Sequence, residues 1–96
     1  MVYEWDPAKA AANLRKHRVS FEEAASVFLD PEALTFSDPD HSDEEEREIT
    51  IGSSSRRRVL FVAHSERDDR IRIISARRAT RRERRQYEEG ISEATR

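Results

Sequence analysis

The hydrophobic spacing of this chain switches from helical to strand-like at Asp30-Pro31, and this constrains the fold more than any other feature. Before it, Phe21, Ala24, Ala25, Phe28 and Leu29 recur at i, i+3, i+4, i+7 and i+8, which predicts one amphipathic helix over 21–29. Ser20 and Glu23 make a capping box at its start, and Asp30-Pro31 ends it. Asp6-Pro7 predicts an earlier helix, with Asp as N-cap, Pro at the first helical position and Ala10 and Leu14 on one stripe, running to His17. Trp5 stands ready to staple that helix start against Ala10. After Asp30-Pro31 the spacing becomes strand-like. Strands are expected over 34–37, 48–51, 58–64 and 70–76, with one more over 2–5 ahead of the helices.

The links between the later strands are short, which implies an antiparallel meander. Residues 76–79 read as a turn, Thr80 and Glu83 cap a last helix, and Gly90 is its natural stop. The expected class is α+β, in the order β-α-α-β-β-β-β-α, with the two early helices on one face of the sheet. The last helix is Arg-rich and almost uniformly polar, its large apolar side chains being Tyr87 and, past Gly90, Ile91. Such a helix has no stripe to bury.

At 96 residues the chain is read as a single domain, ordered over about 2–90, with 91–96 a frayed tail. Apolar residues make 35% and charged residues 40%, against the usual ~45–50% and ~25%. The core is therefore modest, but the periodic placement of the apolar residues argues for folding rather than disorder. There is no cysteine, hence no disulfide framework and no thiolate metal site. No apolar run approaches the ~18 residues of a membrane span, and the start MVYEWDPAKA is no signal peptide, so the expected location is cytoplasmic.

Charge is divided along the chain. Residues 1–46 hold 4 basic and 12 acidic side chains, a balance of −8; residues 47–96 hold 14 and 8, a balance of +6. Eight arginines fall within RIRIISARRATRRERR, residues 70–85, against one acid, Glu83. The arginine fork fits phosphate oxygens, so the second half reads as one strong polyanion surface. A partner that is nucleic acid or an acidic protein is expected.

The sequence has no P-loop, no GxGxxG, no HExxH and no metal-ligand spacing among His17, His41 and His64. What remains is arginine supply with few proton carriers: His41, His64, Glu83 and Tyr87. That set suits metal-free RNA cleavage, in which a 2′-hydroxyl attacks the adjacent phosphorus while arginines stabilise the charge on phosphate oxygens. The thin supply of acid–base groups equally fits a module that binds nucleic acid without cutting it. A basic half that docks an acidic subunit is a third reading.

Three separated blocks, YEWDPAKAAANLRKHRVSFEEAASVFLDP, DHSDEEEREITIG and RIISARRATRRERRQYEE, resemble the BrnT family of toxins. Arg18 stands where that family usually has Gly after the Lys-His pair. The resemblance implies a RelE-like ribonuclease fold, endoribonuclease activity without cofactor or metal, RNA as substrate, and a BrnA-like antitoxin that carries operator-DNA binding. His41, Arg47 and Arg77, which fall within those blocks, are the catalytic candidates, and Arg58, Arg72, Arg81, Arg84 and Arg85 of the arginine-rich half are the RNA-binding ones. Arg81, Arg84 and Arg85 share a helix face by spacing. His17 is expected to serve the dipole at its helix end, and Tyr87 to pack the last helix onto the sheet.

Overall fold

Two polar caps launch the helices in the computed structural model, which describes residues 1–40 and 46–94, the last four by backbone alone. Asp6 accepts a 2.8 Å hydrogen bond from the Ala8 amide and starts α1, Pro7–His17. Arg18 closes α1 in the left-handed region at φ 59°, the conformation that glycine adopts most readily. Ser20 accepts from the Glu23 amide at 3.0 Å and starts α2, Phe21–Ser26. The capping box at Ser20 is only half formed, because the Glu23 carboxylate is committed elsewhere. It accepts from Ser54 Oγ at 2.6 Å and from both Nε and Nη2 of Arg58. Burial pushes the Glu23 carboxyl up, but the Arg58 and Ser54 hydrogen bonds and the Arg58 charge outweigh it, leaving the pKa below the ordinary value.

The helix predicted over 21–29 is divided. After Ser26 the chain tightens into a 3-10 turn, Val27–Leu29. Three residues per turn rotate Leu29 off the apolar stripe, and it stands 79% exposed. Gly52 lets this turn press on the sheet, since a Cβ there would lie 2.9 Å from both Ala33 Cβ and Val27 Cγ1.

The sheet has five strands in the spatial order β1-β5-β4-β3-β2. They are β1 Val2–Glu4, β2 Leu34–Ser37, β3 Arg47–Ser53, β4 Val59–Arg67 and β5 Arg70–Arg78. Strands β2 to β5 form an antiparallel meander, but β1 pairs with β5 in parallel, so the sheet is mixed rather than antiparallel. The reason is the length of the connection: both helices lie between β1 and β2, long enough for a crossover. The turn expected over 76–79 is also corrected. Strand β5 runs on to Arg78, because Ala76 pairs with Val62 and its backbone is held on its other side by Asn13. The Asn13 side chain donates to the carbonyls of Ala76 at 2.8 Å and Val19 at 3.0 Å, and accepts from the Ala76 amide at 3.1 Å. A side chain thus fastens the end of α1 to β5.

The class is mixed α+β, with three α-helices among the described residues. α1, α2 and the 3-10 turn cover one face, where Val19, Phe21, Ala24, Val27, Leu60, Val62, Ile71, Ile73 and Ala76 make the main core. The smaller cluster on the opposite face consists of Ile49, Ile51, Ala63 and Tyr87. α3, Arg81–Ala94, crosses that face over β3. Gly90 does not stop it. A Cβ there would lie 3.2 Å from Leu34, so glycine instead lets the helix pass close over β2. The tail expected over 91–96 is helical to Ala94, and its last two residues lie outside the described ones, as does His41.

His64 faces the main core, 2% exposed, edge-on to Phe28 at 4.8 Å. Its Nε2 lies 2.7 Å from Thr50 Oγ1, which in turn lies 2.8 Å from Thr35 Oγ1. Burial lowers its pKa to about 4. It is a neutral core histidine, not a proton carrier. Between pH 6.5 and 4 the unfolded chain binds a proton that the folded chain refuses, so stability falls as pH falls through that window. The loss is on the order of 3 kcal/mol. Chemical denaturation across that range checks it, and His64→Leu should flatten the slope there. A second expectation concerns the divided helix. Phe21→Ala should cost about 3–5 kcal/mol, whereas Leu29→Ala should stay within about 0.5 kcal/mol, both read from urea midpoints.

Candidate nucleic-acid interface

The face that α3 crosses is only half covered. Period two places Arg47 of β3, Ser65 of β4, Arg72 of β5 and Glu4 of β1 in one cross-strand row on the uncovered half, because each is the register partner of the next. The following row holds Arg67 and Arg70, brought opposite each other by the two-residue turn Asp68-Asp69. With Lys9 of α1 and Ile74 these side chains line a cleft of about 210 Å³. That is room for a phosphate group and several waters, one water taking ~30 Å³. Among the described residues, four arginines and a lysine face a single carboxylate, Glu4. The Glu4–Arg70 pair is exposed and 3.7 Å long, so it neutralises little.

Arg47 is the most constrained of these groups. Its Nε is buried and has no hydrogen-bond acceptor among the described residues. A buried guanidinium N–H without an acceptor is costly, and such groups are rare, so a partner from outside the described residues is expected there. Arg47 and Arg72 are the two predicted site residues that the fold brings together. Glu4, Lys9, Ser65, Arg67 and Arg70 were not predicted as site residues. Period two alone puts Arg70 beside Arg72 on one face; Glu4 and Lys9 arrive through the parallel pairing of β1, which no local pattern announces.

Arg77 lies at the other end of β5 and is already engaged. Its guanidinium sits 4.0 Å from the Phe61 ring centroid and donates two parallel hydrogen bonds to Glu83, at 2.8 and 3.0 Å. Glu83 completes a full capping box: it accepts from the Thr80 amide at 2.9 Å while its own amide donates to Thr80 Oγ1 at 3.2 Å. The Arg77 hydrogen bonds hold the Glu83 carboxyl below its ordinary pKa against partial burial. Arg77 therefore fixes the angle at which α3 leaves the sheet. Arg58 is likewise engaged, on Glu23 and on the Arg18 carbonyl at 3.0 Å, away from the cleft. Arg81, Arg84 and Arg85 are exposed on α3, Arg84 pairing with Glu88 at 3.2 Å. His17 is half-buried at the end of α1.

The far side of α3 is held by Tyr87, whose hydroxyl donates to Asp30 at 2.5 Å. Burial and the Asp30 carboxylate push the Tyr87 hydroxyl up to about 12. Burial would raise the Asp30 carboxyl, yet the hydrogen bonds from Tyr87 and from the Ser53 and Glu32 amides bring it below its ordinary pKa. Among the described residues no cluster of three His, Asp or Glu is arranged to hold a metal ion, and no helix is long and apolar enough to cross a membrane.

A search of the curated proteins finds no match. The crystal structure of the Brucella abortus ribonuclease toxin BrnT is similar in fold, with a TM-score of 0.65 at 20% identity, covering 84% of this chain and all of that one. The family model described as "Ribonuclease toxin, BrnT, of type II toxin-antitoxin system" matches residues 5–83, which contain both helices, β2 to β5 and the α3 cap. An RNA-cutting toxin that answers to an antitoxin partner accounts for an arginine cleft on an otherwise well-packed sheet, and the chain belongs to the BrnT family of ribonuclease toxins of type II toxin–antitoxin systems.

Proposed function

We propose that this protein is a metal-independent endoribonuclease with a RelE-like fold, and that the Arg47–Arg72 cleft is where RNA is cut. The observation that carries the reading is the buried Arg47 Nε, without an acceptor among the described residues, inside a cleft whose other cations face only the exposed Glu4 carboxylate among those residues. A scissile phosphate seated there gives Arg47 its acceptor. Arg47 and Arg72 then stabilise the extra charge that builds on the phosphate oxygens in the transition state. Glu4, the cleft's carboxylate, takes the proton of the attacking 2′-hydroxyl. Lys9 gives a proton to the departing 5′-oxygen. The bond from 2′-oxygen to phosphorus forms as the bond to the 5′-oxygen breaks, leaving a 2′,3′-cyclic phosphate.

His41 is a second candidate for proton transfer. It precedes Arg47 by six residues, an extended reach of roughly 20 Å. Arg77 is assigned to positioning α3 rather than to the phosphate, since its fork already holds Glu83. A BrnA-like antitoxin neutralises the activity by covering the basic cleft with acidic groups, and links the pair to operator DNA. The setting is the bacterial cytoplasm, where the RNA is.

Arg72→Ala should lower RNA cleavage by on the order of 10²-fold while changing stability by no more than about 0.5 kcal/mol. Wild-type cleavage should continue in EDTA and leave cyclic or 3′-phosphate ends, read by end-labelling. Products with 3′-hydroxyl ends, or activity lost in EDTA, contradict the mechanism. RNA that binds the cleft uncut supports a binding module instead.

A further inference from the structure

Counting charge by halves of the sequence predicts one basic surface, but the fold builds two. The second lies at the opposite end of β5 from the cleft. Asn13 ties the end of α1 to Ala76, the Arg18 carbonyl accepts from Arg58 at 3.0 Å, and the Ala79 amide donates to the Val59 carbonyl at 2.9 Å. These contacts bring three segments to one pole of the molecule: the last turn of α1, the β3–β4 turn, and the β5–α3 junction. Each carries exposed cations. They are Arg15, Lys16 and Arg18 from the first, Arg56 and Arg57 from the second, and Arg78, Arg81 and Arg82 from the third. Three of the eight come from the acidic half of the sequence.

Little at this pole neutralises them. Glu23 is buried and shared with Arg58 and Ser54, and Glu83 is held by Arg77. None of the eight makes an ion pair with a described residue. Glu22, on the first turn of α2, is the nearest exposed acid along the chain. Several of these arginines also occupy places that stability alone disfavours. Arg18 and Arg57 adopt left-handed backbone conformations at φ 59° and 61°. Arg81 and Arg82 stand in the first turn of α3, against the helix dipole. Arg15 and Lys16 suit the C-terminal end of the α1 dipole, but the crowding of all eight cations is unfavourable in the free protein and is relieved by a polyanion.

We propose that this pole is a second nucleic-acid contact, which grips the phosphate backbone of the substrate RNA away from the cleavage cleft. The inference rests on the ribonuclease reading for the identity of its ligand. Arg72 pairs with Ser65 and Arg78 with Leu60, and a bulge in β5 between them leaves five regular steps of β4, roughly 17 Å at ~3.3 Å per residue. A stacked strand advances ~3.4 Å per nucleotide, so about five nucleotides separate the two contacts. RNA anchored at the pole presents a distant phosphodiester to the cleft, and the pole contributes affinity without base preference.

The test uses the full-length protein and a 20-nucleotide RNA, 2′-O-methylated throughout so that it is not cut, with binding read by fluorescence anisotropy over a range of salt. The triple variant Arg15→Ala, Arg56→Ala, Arg81→Ala should bind on the order of 10-fold more weakly at ~0.1 M salt, with its log Kd against log salt slope reduced by about 2. Its melting temperature should be unchanged or raised. Combined with Arg72→Ala, the two losses in affinity should multiply, since the sites are far apart and share no partner. Three results overturn the proposal: an unchanged RNA affinity and salt slope, a loss confined to duplex DNA of the same length, or a loss confined to binding of the antitoxin. A wild-type protein that binds the 20-mer through the pole but cuts no RNA overturns the ribonuclease reading and leaves the pole standing.

Discussion

Among the described side chains, α3 is held to the sheet by the polar contacts of Glu83 and Tyr87 and by the buried Tyr87 ring, and the rest of the molecule's chemistry depends on that. Arg77 grips Glu83 at its start, Tyr87 reaches Asp30 in its second half, and Gly90 lets it close over Leu34. A helix with a broad buried stripe would spread across the whole open face of the sheet. This one covers Ile49 and Ile51 and stops short of Arg47, Ser65 and Arg72. The uncovered half keeps its arginines available to a phosphate. The same arrangement leaves the outer side of α3 free to carry Arg81, Arg82 and Arg85 to solvent.

Electrostatics divides the arginines into two groups by what surrounds them. Arg58 and Arg77 face carboxylates that are themselves fixed, and their forks are used up inside the protein. Losing either partner strands a charge, so these pairs serve geometry. Arg47, Arg67, Arg70 and Arg72 face one another across the cleft, with Glu4 the one carboxylate among the described residues that line it. Like charges held together are unfavourable in the free protein and become favourable when a phosphate enters. Arg47 feels this most, because its Nε is removed from water.

Much of the fold was legible in the sequence, and the misreadings have physical causes. The caps at Asp6, Ser20 and Thr80 act locally, so residue identity alone locates three helix starts. The period of two locates the meander strands for the same reason. The parallel pairing of β1 was not legible, because it depends on a crossover that no local pattern encodes. The run 76–79 looked like a turn by composition, but Asn13, 63 residues earlier, satisfies the Ala76 backbone and prolongs the strand. Leu29 fits the helical stripe by spacing, and only the 3-10 winding after Ser26 takes it out.

The candidate site was legible by chemistry more than by position. Arginine abundance pointed to phosphate, and Arg47 and Arg72 meet in the cleft, but spacing could not say that Arg58 and Arg77 would be consumed by Glu23 and Glu83. The most direct measurement is a crystal structure of the protein with a short RNA blocked at its 2′-hydroxyls. The account predicts a backbone phosphate in the cleft between β3 and β5, accepting a hydrogen bond from Arg47 Nε and contacted by Arg72, with Glu4 facing the blocked 2′-oxygen. A bound RNA whose phosphates avoid this cleft, with Arg47 Nε still lacking an acceptor, would contradict it.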